Sequence, residues 1–345
     1  MKQVDVAVVG AGITGILTAR ELSARTPTQS IVVVESGDLA GGASRRSAGL
    51  HFPRGATPRA RAFAAYSHDY YAQLLMDHPS WPLFPLDVSV VVREARAPAL
   101  SERYLDHARL VRGGGTHPLV NLPADSAVWH GTGCHYADVP ALTRLLAEQL
   151  RDRVELREGV AVVGLSPDGD GCTLRLSTGG TIRAGRVVLA PGPWLHTGPW
   201  KELVAPLGAR VKKIVALHID RRPAQEDPVL VFDDEDAFLL PMVQRGYWLF
   251  SYTCQEWDVS PDTVSASLSS RNVAEARELL HRYAPHLRAA ATAGRVFCDA
   301  YSPDGAPLVE PLDPAGRLVF SGASSGSGYR FAPATAAAVA DLVAR

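Results

Sequence analysis

Val8-Val-Gly-Ala-Gly-Ile-Thr-Gly15 decides how this chain is read, because three glycines at fixed spacing separate a β-branched run from a helical one. Residues 3–9, Gln-Val-Asp-Val-Ala-Val-Val, have the composition of a strand, and Ile16, Leu17 and Leu22 recur at helical spacing. A second apolar run, Ile31 to Val34, ends in Glu35 and completes a βαβ unit that starts almost at the first residue. Each part has a task in holding a dinucleotide. Gly10 makes the turn, Gly12 lets the backbone approach a pyrophosphate, and Gly15 lets helix and strand pack closely, with Ala11 and Thr14 between them. Glu35, twenty residues beyond Gly15, stands where ribose hydroxyls donate hydrogen bonds, with Ser36 beside it.

Composition narrows the rest. A chain of 345 residues, 46% apolar, can bury a sizeable core. Lys plus Arg (35) nearly balances Asp plus Glu (36), so no overall basic field points to nucleic acid or an anionic membrane. Cys134, Cys172, Cys254 and Cys298 lie far apart and form no CxxC pair, so neither a metal site nor a disulfide framework is expected and a cytoplasmic setting fits. The apolar stretch from Val4 to Leu17 is broken by glycines, and no other approaches the ~20 residues that a membrane span needs.

Further along, Ala62 to Met76 reads as a helix, and Asp138 followed by Pro140 starts another whose apolar face is Leu142, Leu145, Leu146 and Leu150. Strands are expected at 160–165, 172–177 and 181–189, the last two joined as a hairpin through Gly179-Gly180. Residues 210–220, 228–232, 237–243 and 247–253 are β-rich, and 272–284 reads as a helix. The chain closes with a strand at Leu318 to Phe320, a glycine-serine loop at 322–328, and an alanine-rich helix expected from about Pro333 to Val343.

Flavin and nicotinamide dinucleotides share the ADP half, so the fingerprint alone does not separate them. Gly42-Ala-Ser-Arg-Arg-Ser-Ala-Gly49, directly after the second strand, has the small residues and hydroxyls expected where a chain wraps a pyrophosphate and a flavin. An NAD enzyme would continue its βαβ alternation there.

Four segments together resemble a known family: Val8 to Gly15; Gly42 to Gly49; Val187-Val-Leu-Ala-Pro-Gly-Pro-Trp194; and Ser302-Pro-Asp-Gly-Ala-Pro307 with Gly326-Ser-Gly-Tyr-Arg-Phe-Ala-Pro333. In their order and spacing the chain resembles the D-amino-acid oxidase superfamily, in its glycine oxidase and sarcosine oxidase branch, over nearly its whole length. The resemblance implies an α/β FAD-binding Rossmann-type domain (GR2-like) with an inserted α+β substrate domain built on an antiparallel sheet. The FAD domain would comprise 1–80, 135–205 and 300–345, and the substrate domain 81–134 and 206–299. FAD would lie extended, wrapped by Gly42, Ala43, Ser44, Arg46, Ser47, Ala48, Gly49 and Leu50. Val162 would meet the adenine, Ala190, Gly192 and Trp194 would lie along the ADP portion, and Gly326, Ser327, Gly328, Tyr329, Arg330 and Phe331 would edge the flavin.

The family's chemistry implies a small amine or amino-acid substrate, hydride transfer from its α-carbon to flavin N5, hydrolysis of the imine by water, and oxygen as acceptor with release of hydrogen peroxide. Arg330 is the foremost candidate for the substrate carboxylate, since Gly-Tyr-Arg-Phe matches the family's Gly-Phe-Lys-Phe and arginine can make two parallel hydrogen bonds. Tyr252 is expected to donate its hydroxyl to the same carboxylate, His51 and Arg54 to line the pocket, and Tyr301 to join the catalytic set. Cys298 lies one residue out of register with the covalent FAD attachment of sarcosine oxidases. Two departures concern the substrate. Asp299 or Cys298 stands where glycine oxidases carry an arginine, and Trp248 where sarcosine oxidases present a lysine that assists oxygen. A flavin dehydrogenase passing electrons to a quinone or carrier, and a flavin-binding protein without catalysis, are the alternatives.

Overall fold

The computed structural model describes residues 2–264 and 267–344. Lys2–Val9 (β1), Ile13–Arg25 (α1) and Ile31–Val34 (β2) form the opening βαβ unit. The short helix Ala43–Arg46 (α2) and strand Leu50–His51 (β3) lead to Pro58–Asp77 (α3). This helix starts cleanly because the Thr57 hydroxyl accepts the Ala60 N–H and Pro58 occupies its first position. Leu83–Arg93 (β4), Leu100–Arg103 (α4), Val111–Gly113 (β5) and Ser126–Ala137 (β6) follow. Val139–Glu148 (α5) is capped by Asp138, whose carboxylate accepts the Ala141 N–H at 3.1 Å, and it buries Leu142 and Leu146. Next come Val154–Arg157 (β7), Val162–Asp168 (β8), Gly171–Leu176 (β9), Thr181–Leu189 (β10) and Lys201–Val204 (α6).

Arg210–Ile219 (β11), Val229–Phe232 (β12), Ala237–Met242 (β13) and Tyr247–Tyr252 (β14) precede Ser270–Tyr283 (α7). Ala291–Tyr301 (β15), Leu308–Pro311 (β16), Leu318–Gly322 (β17) and Gly328–Val343 (α8) complete the chain. The last helix corrects the expectation of a start near Pro333, since it begins five residues earlier and holds that proline inside. Proline is tolerated there because a side chain of α3 replaces the backbone donor that it lacks.

The first sheet runs β16-β17-β10-β1-β2-β7, and its central pairs are parallel. Such strands are buried on both faces, which is why β2 is apolar throughout. Val6 and Val8 pack toward α1, α5 and α8, whereas Ala7 and Val9 pack toward the β8–β9 hairpin, joined to β10 as expected. Burying each such valine or leucine contributes about 1.5–3 kcal/mol.

The second sheet runs β15-β11-β14-β13-β12-β4-β6-β3, with β5 beside β6. All its pairs are antiparallel except β12 with β4. One face carries Trp248, Phe250 and Tyr252 against Ala276 and Leu280 of α7. The architecture is therefore the Rossmann-type α/β layer joined to an antiparallel-sheet α+β layer. Because β3 pairs with β6, the loop at 41–50 passes directly from one sheet to the other. Among the described residues, no helix is long and apolar enough to cross a membrane, and no group of three or more His, Cys, Asp or Glu could hold a metal ion.

Candidate active site

A cavity of about 900 Å3 lies between the two sheets. At one end it is bounded by the β1–α1 turn. Gly10 has φ +105°, and a Cβ there would lie 2.3 Å from the Ala190 carbonyl oxygen, so the turn excludes any side chain. A Cβ on Gly15 would lie 1.9 Å from the Gly10 carbonyl oxygen. Gly12 caps α1 without a side-chain hydrogen bond of its own, so beyond Ile13, whose N–H Ser44 takes, the amino end of the helix faces the cavity. The short α2, capped by Gly42, and α8, capped by Ser327, end in the same way on the same cavity.

Glu35 lines the wall beside this turn, where its carboxylate accepts the Ala11 N–H at 2.8 Å and the Gly37 N–H at 2.9 Å. Ser44 accepts the Ile13 N–H at 3.0 Å and fastens α2 to α1. Gly10, Gly12, Thr14 and Gly15, then Glu35 and Ser36, then all of 41–50, Val162, Ala190, Gly192 and Trp194 share this cavity, as do all of 321–331. Ala11 does not: it is fully buried behind the turn, where its N–H orients Glu35. The set fits an adenine dinucleotide bearing a flavin. A glycine turn and an uncapped helix end suit a diphosphate, and an oriented carboxylate suits a ribose diol.

The loop before α8 is strained. Ala323 and Ser325 have φ of 51° and 52°, a region that L-residues other than Asn and Asp seldom adopt. It is held by the Ser325 N–H on the Ala300 carbonyl at 3.0 Å and by the half-buried Asp299 on β15. Burial raises the Asp299 carboxyl to about 6, with the N–H groups of Ala300 and Gly326 pulling the other way.

Arg330, in the first turn of α8, enters the cavity with no ion-pair partner among the described residues. One Nη donates to the Ser327 hydroxyl at 2.6 Å, and its Nε is buried without a partner. The guanidinium rests over the rings of Phe331 (4.5 Å) and Phe52 (5.6 Å). Burial first, and the Arg54 charge second, lower its pKa to about 9. Arg54 lines the same end and reaches Asp233 at 3.5 Å and Asp236 at 4.0 Å. Lys212 on β11 is buried with its ammonium 4.8 Å from the Trp257 ring and 5.0 Å from that of Tyr301. Burial lowers its pKa, and Asp299 stands directly opposite on β15.

The other expected residues separate. Tyr301 lines the cavity beneath Gly326 and faces Lys212. Tyr252 borders the cavity, but its hydroxyl donates to Glu275 at 2.9 Å and to the Asn272 carbonyl at 3.2 Å on α7, which corrects the expectation that it meets a carboxylate in the pocket. His51 is corrected too. It is fully buried on β3 and absent from the cavity wall, packed against His135 (4.8 Å) and Tyr71 (5.7 Å). Burial pushes its pKa well below the ordinary histidine range, with His135 and Arg330 adding to the effect. Cys298 points into the core beneath the first sheet, between the cavity-lining Phe297 and Asp299. Trp248 lies in the α7 core, so the cation near this wall comes instead from Lys212. Lys212, Asp236, Phe52, Phe238 and Ser251 were not singled out from sequence. Strand alternation through Phe297, Asp299 and Tyr301 was the signal available for β15.

Known proteins share the sequence family and the fold of this chain. The DAO family, described as FAD dependent oxidoreductase, matches residues 5–342. A glycine oxidase of Pseudomonas aeruginosa is 28% identical over 358 residues, covering 98% of this chain and 94% of that protein. The solved structure of glycine oxidase from Geobacillus kaustophilus is similar with a TM-score of 0.82 at 20% identity, covering 100% of this chain and 95% of that one. L-proline dehydrogenase from P. horikoshii gives a TM-score of 0.85 at 16% identity, covering 99% and 93%. L-amino acid deaminase from Proteus vulgaris gives 0.75 at 17% identity, covering 100% and 94%. At these identities the structural likeness concerns the fold.

Proposed function

Because the chain belongs to the DAO family of FAD dependent oxidoreductases, we propose that it oxidises the carbon–nitrogen bond of an amino acid or N-substituted glycine. The imine is hydrolysed by water, and oxygen is the electron acceptor, leaving as hydrogen peroxide. FAD supplies the two-electron oxidant for such a reaction, and the protein's part is to present the substrate to it.

Arg330 carries the reading. A desolvated guanidinium without an anionic partner is costly, and a substrate carboxylate would relieve that cost through two parallel hydrogen bonds. The surrounding charges agree: Asp233 is taken by Arg54 and Arg103, Asp236 is shared by Arg54 and the field of Lys212, and Arg330 is left without a carboxylate of its own. A substrate carboxylate supplies Arg330 with the partner it lacks. With that end anchored and water displaced, the α-carbon is held in one place, and orientation of this kind removes much of the barrier to bond cleavage. Lys212 supports oxygen as acceptor, because a buried cation in the cavity stabilises negative charge developing there.

The test is an anaerobic titration of the purified holoenzyme with amino acids, sarcosine and longer N-carboxymethyl amines, followed by its visible flavin absorbance. Bleaching that air reverses with formation of peroxide supports the proposal. Bleaching that air leaves and a quinone reverses moves the acceptor to that of a dehydrogenase. Absence of bleaching by every amine overturns the substrate class.

A further inference from the structure

Beside Arg330 the cavity floor is mostly apolar along one continuous row, which ends in a charge at its far end. Arg295, Ala216, Ser251, Phe238 and Val231 stand directly opposite one another across β15, β11, β14, β13 and β12, and all five line the cavity. Two residues along, on the same face, Phe297 stands opposite Ile214. At the Arg330 end, Phe238 meets the edge of Phe52 with ring centroids 6.3 Å apart and planes at 86°, and Phe52 in turn lies beneath the Arg330 guanidinium. Phe52 and Phe238 are only half-buried, as are Phe297 and Ile214. Aromatic rings left partly bare in a concave site gain when apolar surface covers them.

Resting on the function proposed above, we infer that Phe52, Phe238 and Val231 form a subsite for an extended apolar group of the substrate, next to the carboxylate anchor. The substrate is then an amine monocarboxylate larger than glycine or sarcosine. Three features of this wall support that class. Arg330, at the head of this wall, has no carboxylate partner among the described residues and is satisfied by one from the substrate. The row's one charge, Arg295, lies at the end away from Phe238 and donates to the Ser47 carbonyl at 3.1 Å, while Ala216 to Val231 offer one side-chain hydroxyl, Ser251. Phe238 lies one ring beyond Phe52 from the Arg330 guanidinium, so an apolar group that covers both rings gains more than one that stops at the first.

The inference is tested on oxidised holoenzyme with straight-chain carboxylates, which cannot be oxidised as amines, titrated by calorimetry and by perturbation of the flavin spectrum. From acetate to hexanoate, each added methylene is expected to tighten binding about fourfold until the wall is filled. In Phe238→Ser this chain-length dependence flattens, and in Arg330→Met all carboxylates weaken together. Acetate and hexanoate binding alike through Arg330 would overturn the subsite and leave the proposed function standing. Carboxylates that bind equally to the native protein and Arg330→Met would instead overturn the anchor itself. An unchanged chain-length dependence in Phe238→Ser also sinks the subsite. Leucine and an N-butyl glycine, compared as anaerobic reductants, then show whether the apolar group belongs on the α-carbon or on nitrogen.

Discussion

The Tyr71 hydroxyl donates to the backbone carbonyl of Tyr329 at 2.7 Å, an acceptor that the helix itself leaves open. Pro333, four residues further along α8, has no N–H to offer it. Both tyrosines are buried, and their rings stack 4.8 Å apart. A side chain of α3 thereby completes the first turn of the helix that carries Arg330 into the cavity. Tyr71→Phe should cost about 1–3 kcal/mol, the penalty for a buried carbonyl without a donor. In a Pro333→Ala background the alanine N–H takes over, so the same substitution should cost much less. Urea unfolding of the four proteins in this cycle measures the difference, and equal costs in both backgrounds would show that the tyrosine acts only through packing.

Gly15→Ala should bind FAD more weakly. The new Cβ would lie 1.9 Å from the Gly10 carbonyl oxygen, so α1 must move off β1 and carry the open helix end away from the diphosphate. Gly169→Ala is the control, because nothing lies within 4 Å of a Cβ there. The Kd for FAD, read by titrating the apoprotein, should rise about tenfold or more in the first variant, a loss of ~1.4 kcal/mol or more, and stay level in the second. An unchanged Kd in Gly15→Ala would mean that the contact between α1 and β1 does not position the cofactor.

These two cases show why one end of the cavity was legible in the sequence. The cofactor end is built from contiguous turns, where Gly10, Gly12 and Gly15 satisfy a local steric demand that spacing reveals. The substrate end is assembled from alternate residues of strands far apart in the chain. Which of Lys212 and Lys213 enters the cavity depends on strand phase: Lys212 does, while Lys213 pairs with Glu256 at 3.0 Å. The same phase turns the Tyr252 hydroxyl toward α7. His51 was misplaced for a related reason, since the two-residue β3 takes it from a polar loop into a fully buried cluster. The early start of α8 was hidden because the donor compensating Pro333 comes from α3, distant in sequence.

Tyr252→Phe and Arg330→Met should therefore behave differently. The Tyr252 hydroxyl is bonded to Glu275 and Asn272, so removing it should cost about 1 kcal/mol of stability. Its KM for an amino-acid substrate should change by less than about twofold, which at under ~0.5 kcal/mol is small beside a charged hydrogen bond. Arg330→Met removes charge-assisted hydrogen bonds to the carboxylate and should raise KM roughly tenfold to hundredfold. Steady-state kinetics on both variants checks the contrast, and a raised KM for Tyr252→Phe with normal stability would restore that hydroxyl to the substrate.

Acid should destabilise the protein through its buried histidines. Burial lowers the His135 pKa to about 3 from an ordinary 6.5, and pushes that of His51 in the same direction. Between those values the unfolded chain binds protons that the folded one refuses, so stability is full above pH 6.5 and falls as pH drops. Each such histidine contributes a slope of about 1.4 kcal/mol per pH unit. Asp299 works against them. Its folded pKa is raised from 3.8 to about 6, so its contribution is full below 3.8 and is lost as pH rises through about 6. From pH 6 down to 4 the Asp299 slope offsets roughly that of one histidine, leaving the other, with the half-buried His68 and His218 whose pKa values burial also lowers, to set the net loss. Asp299→Asn should steepen the acid limb, and His51→Leu, which keeps an apolar side chain in the same buried position, should flatten it. Urea midpoints at pH 7, 6 and 5 read both slopes. A His51→Leu protein with an unaltered acid limb would mean that protonation of the unfolded chain at this position does not drive the loss.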